Sequence, residues 1–519
     1  MALPFDDATL RTVLAIGNPV SLMRSSIRLM MPAACCVVLI SCAKPAPAPV
    51  LYDDGARGQA LEAQREAAAV ADRDQALDLL RLSSMALAGG DRAEAEAALR
   101  KAVAKMTTFQ ADGEFAARLA AEDRKEWKGE PYEKMAAFTT LGMLLWTGGD
   151  PGNALAMFKS AVLADTGSRQ EAFRSDFLPG WVLQALVYAE EGERDNAVSA
   201  MERGIDAWWS RHTVLELTRA VERARPGALP VEARDAARAA VLAGLSAGVA
   251  RQPRDAGGAA RATLALLPDL LRVQEALPRK ERLPTLQGFR GGDFDLARRA
   301  LDPFGAAWVE AVAERDAALA AEGDAWGAQA MGLLDASPKL VLLVERGSGP
   351  RKVRAGEYGE LLRIVPGVRP ATRPQVVVDG EAVVPLYLDE TGFQASTRGG
   401  RRVDAFLKGK AVYKDASLIS GYVALRVADL AFLTDNDQLG AIAAIAGGAV
   451  LISGLVTNPA ADVRAWEHAP GGWYLVATPA TPGPHTVEVG PRTYTVEVPE
   501  RGSAVHLLPR LRPGGERSL

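Results

Sequence analysis

The chain has 519 residues, which is enough for roughly two or three domains, and a formal net charge of −4 at pH 7. This slightly acidic balance argues against nucleic acid as a partner, because surfaces that bind nucleic acid are basic. The cysteines Cys35, Cys36 and Cys42 all lie near the N-terminus, so the rest of the chain offers no disulfide and no thiolate metal site.

The first recognisable element is a leader sequence. Arg24 and Arg28 precede the apolar run Leu29–Ile40, which has the length of a signal-peptide core and is too short to span a bilayer. Leu39-Ile40-Ser41-Cys42 resembles the lipobox of bacterial lipoproteins, in which cleavage leaves a lipid-modified cysteine at the new N-terminus. We therefore expect residues 1–41 to be removed and the Cys42 thiol to carry the lipid that anchors the mature protein to a membrane.

The residues around this leader refine the prediction. Asp6 and Asp7 do not fit the basic start of a signal peptide, so we expect translation to begin at Met23. Ala43 follows the cysteine where an Asp would be typical of inner-membrane retention, so the expected location is the outer membrane, facing the periplasm. An ordinary signal peptide without lipidation is the alternative. No cofactor beyond the lipid on Cys42 is expected, and the histidines show no metal-ligand spacing.

The spacing of apolar residues predicts helices from about residue 54 to residue 335. Within this region three helix pairs align on a turn glycine, which is Gly90, Gly149 or Gly192. In each pair a large apolar residue stands early, small residues stand where two helices meet, and the second helix carries an Ala, a large residue and a small one. The other aligned positions are Leu79, Leu82, Ala95, Leu99 and Ala102, then Phe138, Leu141, Gly142, Leu145, Ala154, Phe158 and Ala161, then Trp181, Ala185, Tyr188, Ala197, Met201 and Gly204.

This pattern resembles the tetratricopeptide repeat, in which small residues let two helices close and a large residue fills the space between pairs. The spacing departs from the usual period of about 34 residues, because insertions separate the pairs. The resemblance implies a helical surface that holds a peptide or protein. Trp181, Tyr188, Trp208 and Trp209 are the candidate partner-binding residues, and packing in the core is the alternative for these aromatic side chains.

The composition changes at Ser337-Pro338, after which short apolar runs separated by Gly and Pro predict strands. Asp379-Gly380 predicts a tight hairpin turn. Thr493–Val498 alternates polar and apolar residues, as expected of a half-buried antiparallel strand. Arg402–Leu433 is predicted to be mostly helical. The other predicted strands are Leu340–Val344, Leu361–Val365, Gln375–Val378, Val383–Leu388, Gly472–Ala477, His485–Val489 and Ala504–Leu508.

An apolar run without charges, Leu439–Val456, would be about 27 Å long as a helix, which is at the lower edge of a membrane span. Gly440, Gly447 and Gly454 recur every seven residues and would form a smooth stripe for close helix packing. One interpretation is a membrane-inserting or oligomerising helix. The other, which we favour, is a helix buried within the C-terminal domain.

Asp462, Arg464 and Trp466 occupy alternate positions. In an extended segment they share one face, so Asp462 can pair with Arg464 and the guanidinium can lie on the indole of Trp466. One interpretation is a ligand or partner patch. We favour a structural clasp that fixes the last helix to the terminal strands, because ion pairs and stacked arginines are usually structural.

Two segments carry a family resemblance. Trp127–Ala161, which contains Gly-Glu-Pro-Tyr-Glu, and Ala461–Pro470, which contains Ala-Asp-Val-Arg-Ala-Trp, together resemble a family of uncharacterised bacterial lipoproteins. The family pattern has Thr in place of Val463 and Leu in place of Ala469, and residues 208–330 match it poorly. The resemblance implies a tetratricopeptide-like helix pair followed by terminal strands. The family has no established activity and is sometimes associated with lipoproteins that activate cell-wall synthases.

These features predict a mainly α protein, with an α-α superhelical, tetratricopeptide-like repeat domain followed by a smaller α+β domain that contains an antiparallel sheet. The predicted segments are a signal peptide at 1–41, a lipidated Pro/Ala tether at 42–53, the repeats at 54–210, an irregular helical continuation at 211–335, the α+β domain at 336–510 and a disordered tail at 511–519.

The predicted function is a membrane-anchored scaffold that holds an unidentified envelope protein or peptide through its helical repeats, in envelope or cell-wall assembly. The alternative is an oligomeric membrane-active or export component in which the helix at 439–456 packs against its own copies. No enzymatic function is expected. Gly244-Leu245-Ser246-Ala247-Gly248 matches the nucleophile-elbow string, but it lies in an Ala-rich helical run that no strand precedes.

Overall fold

The computed structural model of the chain describes residues 54–107, 125–166, 173–223, 236, 267–282, 286–301, 305–335, 339–355, 361–365, 367, 373–397 and 461–509. The chain divides into two compact units, Met1–Gln59 and Ala60–Leu519, and the second contains all of the described residues from Ala60 onward. Several predictions lie outside the described residues. They are the signal peptide, the lipidation of Cys42, the tether, the elbow string Gly244–Gly248, the helix at Arg402–Leu433, the apolar run Leu439–Val456 with Gly440, Gly447 and Gly454, and the tail.

Within the described ranges the chain forms 11 α-helices, and its C-terminal part contains separate antiparallel and mixed sheets. The helices are α1 (Asp54–Ala69), α2 (Gln75–Gly89), α3 (Arg92–Thr107), α4 (Pro131–Thr147), α5 (Pro151–Asp165), α6 (Leu178–Glu190), α7 (Arg194–Arg223), α8 (Leu267–Ala276), α9 (Gly291–Leu301), α10 (Gly305–Gly332) and α11 (Thr391–Thr397). The strands are β1 (Lys339–Ser348), β2 (Arg351–Ala355), β3 (Leu361–Val365), β4 (Val376–Val378), β5 (Glu381–Val383), β6 (Leu386–Glu390), β7 (Pro470–Pro479), β8 (Gly483–Val489), β9 (Arg492–Val498) and β10 (Ser503–Leu508).

Three helix hairpins, α2–α3, α4–α5 and α6–α7, share one turn geometry. The turn glycines Gly90, Gly149 and Gly192 have φ of 83°, 81° and 80°, which is the left-handed region that only glycine adopts without strain. The next residue donates its N–H to a carbonyl near the end of the first helix, which is the Schellman arrangement. These bonds are Asp91 to Ala86 (2.9 Å), Asp150 to Leu145 (2.9 Å) and Glu193 to Tyr188 (2.8 Å). The predicted helix pairs are therefore confirmed, and their superhelical arrangement stays a prediction.

The left-handed conformation of Gly149 predicts that a larger residue at this position lowers stability. We expect Gly149→Ala to lower the free energy of unfolding by about 1–2 kcal/mol, because a Cβ disfavours the left-handed conformation. Gly152 is the matched control, since a Cβ there meets no atom within 4 Å and its φ is not positive. Gly152→Ala should be neutral or slightly stabilising. Urea unfolding of both variants measures the difference, and an equal effect of the two changes would contradict the turn's role.

Small residues allow close contact between the paired helices. A Cβ at Gly142 of α4 would lie 2.5 Å from Cε1 of Phe158 on α5, so a larger residue does not fit without movement. A Cβ at Gly204 of α7 would lie 3.3 Å from the Cβ of Trp181 on α6. The predicted packing of small residues against large ones is confirmed in these two pairs. α7 continues without a break through residue 210, where a domain boundary was predicted.

The C-terminal strands form two four-stranded sheets and one hairpin. The first sheet has the order β10-β1-β7-β6, and β1 runs parallel to β10 and antiparallel to β7. The second sheet has the order β5-β4-β8-β9 and is antiparallel throughout. Among the described strands, β2 pairs with β3 alone. The antiparallel sheet that the sequence predicted is present, and the mixed first sheet was not foreseen.

The first sheet is the middle of three layers. Leu340, Leu342 and Val344 of β1 pack with the second sheet in one apolar core. Val341 and Leu343, which alternate with them, belong to a larger core that includes the helices. Because successive side chains of a strand point to opposite faces, β1 is buried on both sides. The helical part and the C-terminal sheets therefore share one continuous interface through this strand.

One predicted strand, Val383–Leu388, is wrong as a single element. It divides into the end of β5 and the start of β6, which belong to different sheets. Pro385 lies between them and has no N–H for a sheet ladder, and Val384 is 62 % exposed. The predicted turn at Asp379-Gly380 is confirmed, with φ of 51° and 85°, as a two-residue hairpin turn requires.

Candidate functional site

Helices α5, α6 and α7 enclose a groove of about 390 Å³. This volume lies in the lower part of the range of roughly 300–1,000 Å³ that ligand sites occupy. Trp181 and Tyr188 are seven residues apart on α6, which places both side chains on one face of the helix, and both line the groove. The structure thus brings two of the predicted partner-binding residues together. The other lining residues used below are Lys159, Leu163, Gln184, Asn196, Ser199 and Arg203.

A basic side chain lies over each aromatic ring of the groove. Lys159 Nζ is 5.2 Å from the centre of the Tyr188 ring, and Arg203 Cζ is 5.4 Å from the centre of the Trp181 ring. Each such contact contributes about 0.5–1 kcal/mol at an exposed site. The Trp181 indole N–H also donates to the Ser175 carbonyl at 2.8 Å. These contacts restrict the orientations of both rings in the protein without a bound partner.

The groove combines apolar surface with positive charge. Leu163 on α5 lines the groove and is 70 % exposed, so it provides apolar surface there. Gln184 on α6 is buried and provides a polar group within the groove. Lys159 and Arg203 are the charged residues among those that line the groove, and no Asp or Glu is among these lining residues. The groove is therefore locally positive on a chain whose net charge is −4.

Trp208 and Trp209 were also predicted to bind a partner. They do not line this groove, and both side chains are buried. They are 5 % and 4 % exposed. Both rings lie so close to Gly323 of α10 that a Cβ at that glycine would clash with them. Trp208 also stacks on Trp326 of α10, with ring centres 6.0 Å apart. The long α7 therefore uses the two indoles to pack against α10, which was the alternative the sequence left open.

The two sequence motifs that carry the family resemblance meet around Glu133. The Glu133 carboxylate accepts the backbone N–H of Trp466 at 2.9 Å and the backbone N–H of Glu130 at 2.7 Å. The same carboxylate pairs with Lys352 Nζ at 2.6 Å, and both side chains are almost fully buried. One carboxylate thus joins the start of α4, the segment before β7 and strand β2. Burial raises the pKa of Glu133, and the ammonium of Lys352 opposes that shift.

The predicted pair of Asp462 and Arg464 is confirmed, with Nη2 of Arg464 2.7 Å from Oδ2 of Asp462. Arg464 also pairs with Asp74 at the start of α2 and donates to the Lys125 carbonyl at 2.9 Å. The Trp466 indole N–H donates to Ser84 Oγ of α2 at 2.9 Å. These contacts fix the 461–466 segment to α2 and to the residues before α4. They agree with a structural clasp and give α2 as one of its partners, while the helix predicted before the terminal strands lies outside the described residues.

A second buried charge cluster joins α7 to the first sheet. Arg211 of α7 pairs with Asp389 of β6, and their side chains are 2 % and 0 % exposed. The Arg211 guanidinium lies 3.9 Å from the centre of the Phe393 ring in α11. Gln394 Nε2 of α11 donates to Asp389 at 2.8 Å and to Asp176 at 3.2 Å. The cluster connects four parts of the chain through one guanidinium and two carboxyl groups.

Burial shifts the proton equilibria of this cluster. It raises the pKa of Asp176 well above the usual value, while Arg211 lowers that pKa and Asp389 raises it further. Burial also raises the pKa of Asp389, which the Arg211 charge opposes. Arg211 therefore favours the ionised form of both carboxyl groups against the effect of burial. Sequence reasoning missed Arg211, Asp389 and Lys352, because each is a single charge whose partner lies far away in the chain.

The described part of the chain contains no group of three or more His, Cys, Asp or Glu side chains arranged to hold a metal ion. None of the helices described is long and apolar enough to cross a membrane. The run Leu439–Val456, on which the alternative function depends, lies outside the described residues.

Comparison with family models, with curated proteins and with solved structures finds no match to this chain. The lipoprotein resemblance therefore stays a prediction from the sequence.

Proposed function

We propose that this protein is a lipid-anchored scaffold of the bacterial cell envelope, and that it holds a protein or peptide partner in the groove between α5, α6 and α7. The observation that carries the proposal is the groove itself. Its two aromatic rings are held by cation–π contacts and a backbone hydrogen bond, and an exposed leucine lies beside them. Fixed aromatic side chains beside exposed apolar surface are typical of residues that dominate binding energy at protein interfaces.

The remainder of the described body supports a binding function through its rigidity. Two buried ion-pair clusters and a shared apolar core join the helices to the sheets. A body whose elements are joined in this way loses less conformational entropy when a partner binds, so more of the contact energy appears as affinity. The lipid on Cys42 and the Pro/Ala tether would keep this body near the membrane while allowing it to reach a partner.

Site-specific photo-crosslinking in cells tests the proposal. A photoreactive residue at Leu163 lies beside the groove, and one at Val384 is a matched control because it is similarly exposed, at 62 % against 70 %. We expect a discrete covalent adduct from Leu163 and none from Val384. Identical adduct patterns at the two positions, or no adduct at either, would reject the groove as the binding site.

The anchor is tested separately. We expect the mature chain to begin at a Cys42 that carries a diacylglyceryl group, and Cys42→Ser to release the protein from membranes. Mass spectrometry that finds an unmodified thiol at Cys42 in the mature protein would remove the anchoring part of the proposal and leave the groove unaffected.

A further inference from the structure

The charges of the groove indicate what kind of partner it accepts. Lys159 and Arg203 lie over the two aromatic rings, and the lining residues within the described part of the chain include no Asp or Glu. A partner that brought Lys or Arg to these rings would meet a like charge already in place, which is unfavourable. A partner carboxylate would gain charge-assisted hydrogen bonds instead, and the planar guanidinium of Arg203 can hold one in a bidentate manner.

The apolar and polar lining adds two further requirements. Leu163 is 70 % exposed, so an aliphatic or aromatic side chain of the partner would cover apolar surface that now faces water. Asn196 and Ser199 line the groove and are exposed; the Asn196 amide nitrogen donates to Glu193 at 2.7 Å, which leaves its carbonyl oxygen and the Ser199 hydroxyl to hydrogen-bond to a main chain. The groove therefore offers partners to carboxylates, to apolar side chains and to a backbone at the same time.

We propose that the groove binds an extended acidic segment of a protein, in which apolar side chains stand between the carboxylates. The inference rests on the proposed function and specifies the chemistry of the partner. Carboxylates would pair with Lys159 and Arg203, while the apolar side chains would contact Leu163 and the ring edges of Trp181 and Tyr188.

Three short capped peptides with the same fluorescent label test this chemistry against the full-length protein by fluorescence anisotropy. One alternates Glu with Leu, the second Gln with Leu, and the third Lys with Leu. We expect the Glu peptide to bind about tenfold more tightly than the Gln peptide, which corresponds to one charged hydrogen bond. Its affinity should fall as salt is added, because the charges are near the surface. The Lys peptide should bind least.

Charge changes in the groove provide the second measurement. Lys159→Gln and Arg203→Gln should each weaken the Glu peptide by about threefold more than the Gln peptide, so that the two changes together account for the tenfold preference. Arg100→Gln is the matched control, because Arg100 is a half-exposed cation of α3 that does not line the groove. It should change neither affinity. The double change Lys159→Glu and Arg203→Glu should reverse the preference toward the Lys peptide, and thermal unfolding confirms that each variant is folded.

The outcomes separate this inference from the proposed function. Equal affinity for the Glu and Gln peptides, or a preference for the Lys peptide, would overturn the acidic partner. No binding of any peptide together with a crosslink from Leu163 would also overturn it, and the groove would still be a binding site. No binding together with no crosslink would overturn both proposals.

Discussion

Replacing Glu133 with Ala should lower the free energy of unfolding by about 3–5 kcal/mol, which is the expected cost of removing one partner of a buried ion pair. The change leaves the Lys352 ammonium buried without its carboxylate, and that ammonium is almost fully shielded from water. It also removes the acceptor for the backbone N–H groups of Trp466 and Glu130. An unsatisfied buried donor costs about 1–3 kcal/mol, which is included in this loss.

Glu467 provides the matched control for this change. It follows Trp466 directly and pairs with Arg81 of α2 at 2.6 Å, but its side chain is 48 % exposed. Glu467→Ala should therefore change stability by no more than about 1 kcal/mol, as is usual for surface ion pairs. Urea unfolding followed by tryptophan fluorescence measures both variants. If Glu133→Ala were as mild as Glu467→Ala, Glu133 would not be the residue that joins α4 to the C-terminal segment.

Arg211→Met should be similarly severe, at about 3–5 kcal/mol near neutral pH. It removes the guanidinium that compensates Asp389 and Asp176, both of which are buried. Pairing the change with Asp389→Leu should recover much of the loss, because replacing a whole buried ion pair by apolar side chains is often neutral or stabilising. A double variant as unstable as Arg211→Met alone would show that the Asp389 charge does not cause the effect, which would then come from Asp176 or from lost packing against Phe393.

The effect of Arg211→Met should also depend on pH. The pKa values of Asp176 and Asp389 are raised in the folded protein, mainly by burial, and Arg211 holds both of them down. A carboxyl with a raised folded pKa contributes stability below its unfolded pKa and loses it as the pH rises through the folded pKa. Without Arg211 both shifts grow. The loss should therefore be smallest in acid and increase toward neutral pH, by up to about 1.4 kcal/mol per pH unit for each carboxyl. A loss that is constant with pH would contradict this account.

Local signals in the sequence predicted the helices and strands. They could not predict which residues far apart in the chain pair with each other. The turn glycines at Gly90, Gly149 and Gly192 located three hairpins, because a left-handed residue is a strong local requirement. Alternation located the strands, except where Pro385 divided one run between two sheets. The parallel pairing of β1 with β10 could not be inferred, since nothing in either strand specifies a partner so far along the chain.

The candidate site was likewise predicted where local spacing determines it and missed where distant residues meet. Spacing along α6 placed Trp181 and Tyr188 on one face, and the groove contains both. The sequence could not separate them from Trp208 and Trp209, because the glycine that accommodates those indoles, Gly323, lies on a helix more than a hundred residues away. The motifs around Glu133 and Trp466 were each recognisable. Their contact was not, because it joins residues 333 positions apart.

The position of β10 has a consequence for how the polypeptide acquires its structure during biogenesis. The strand that completes the first sheet, Ser503–Leu508, follows the other described strands in the chain, yet it is hydrogen-bonded to β1 and packs against α4. Contacts between such remote parts of a chain form slowly, because the long loop between them has to close first. The apolar surface of α4 that β10 covers therefore stays exposed until this strand docks, and a folding intermediate with such a surface is prone to aggregate.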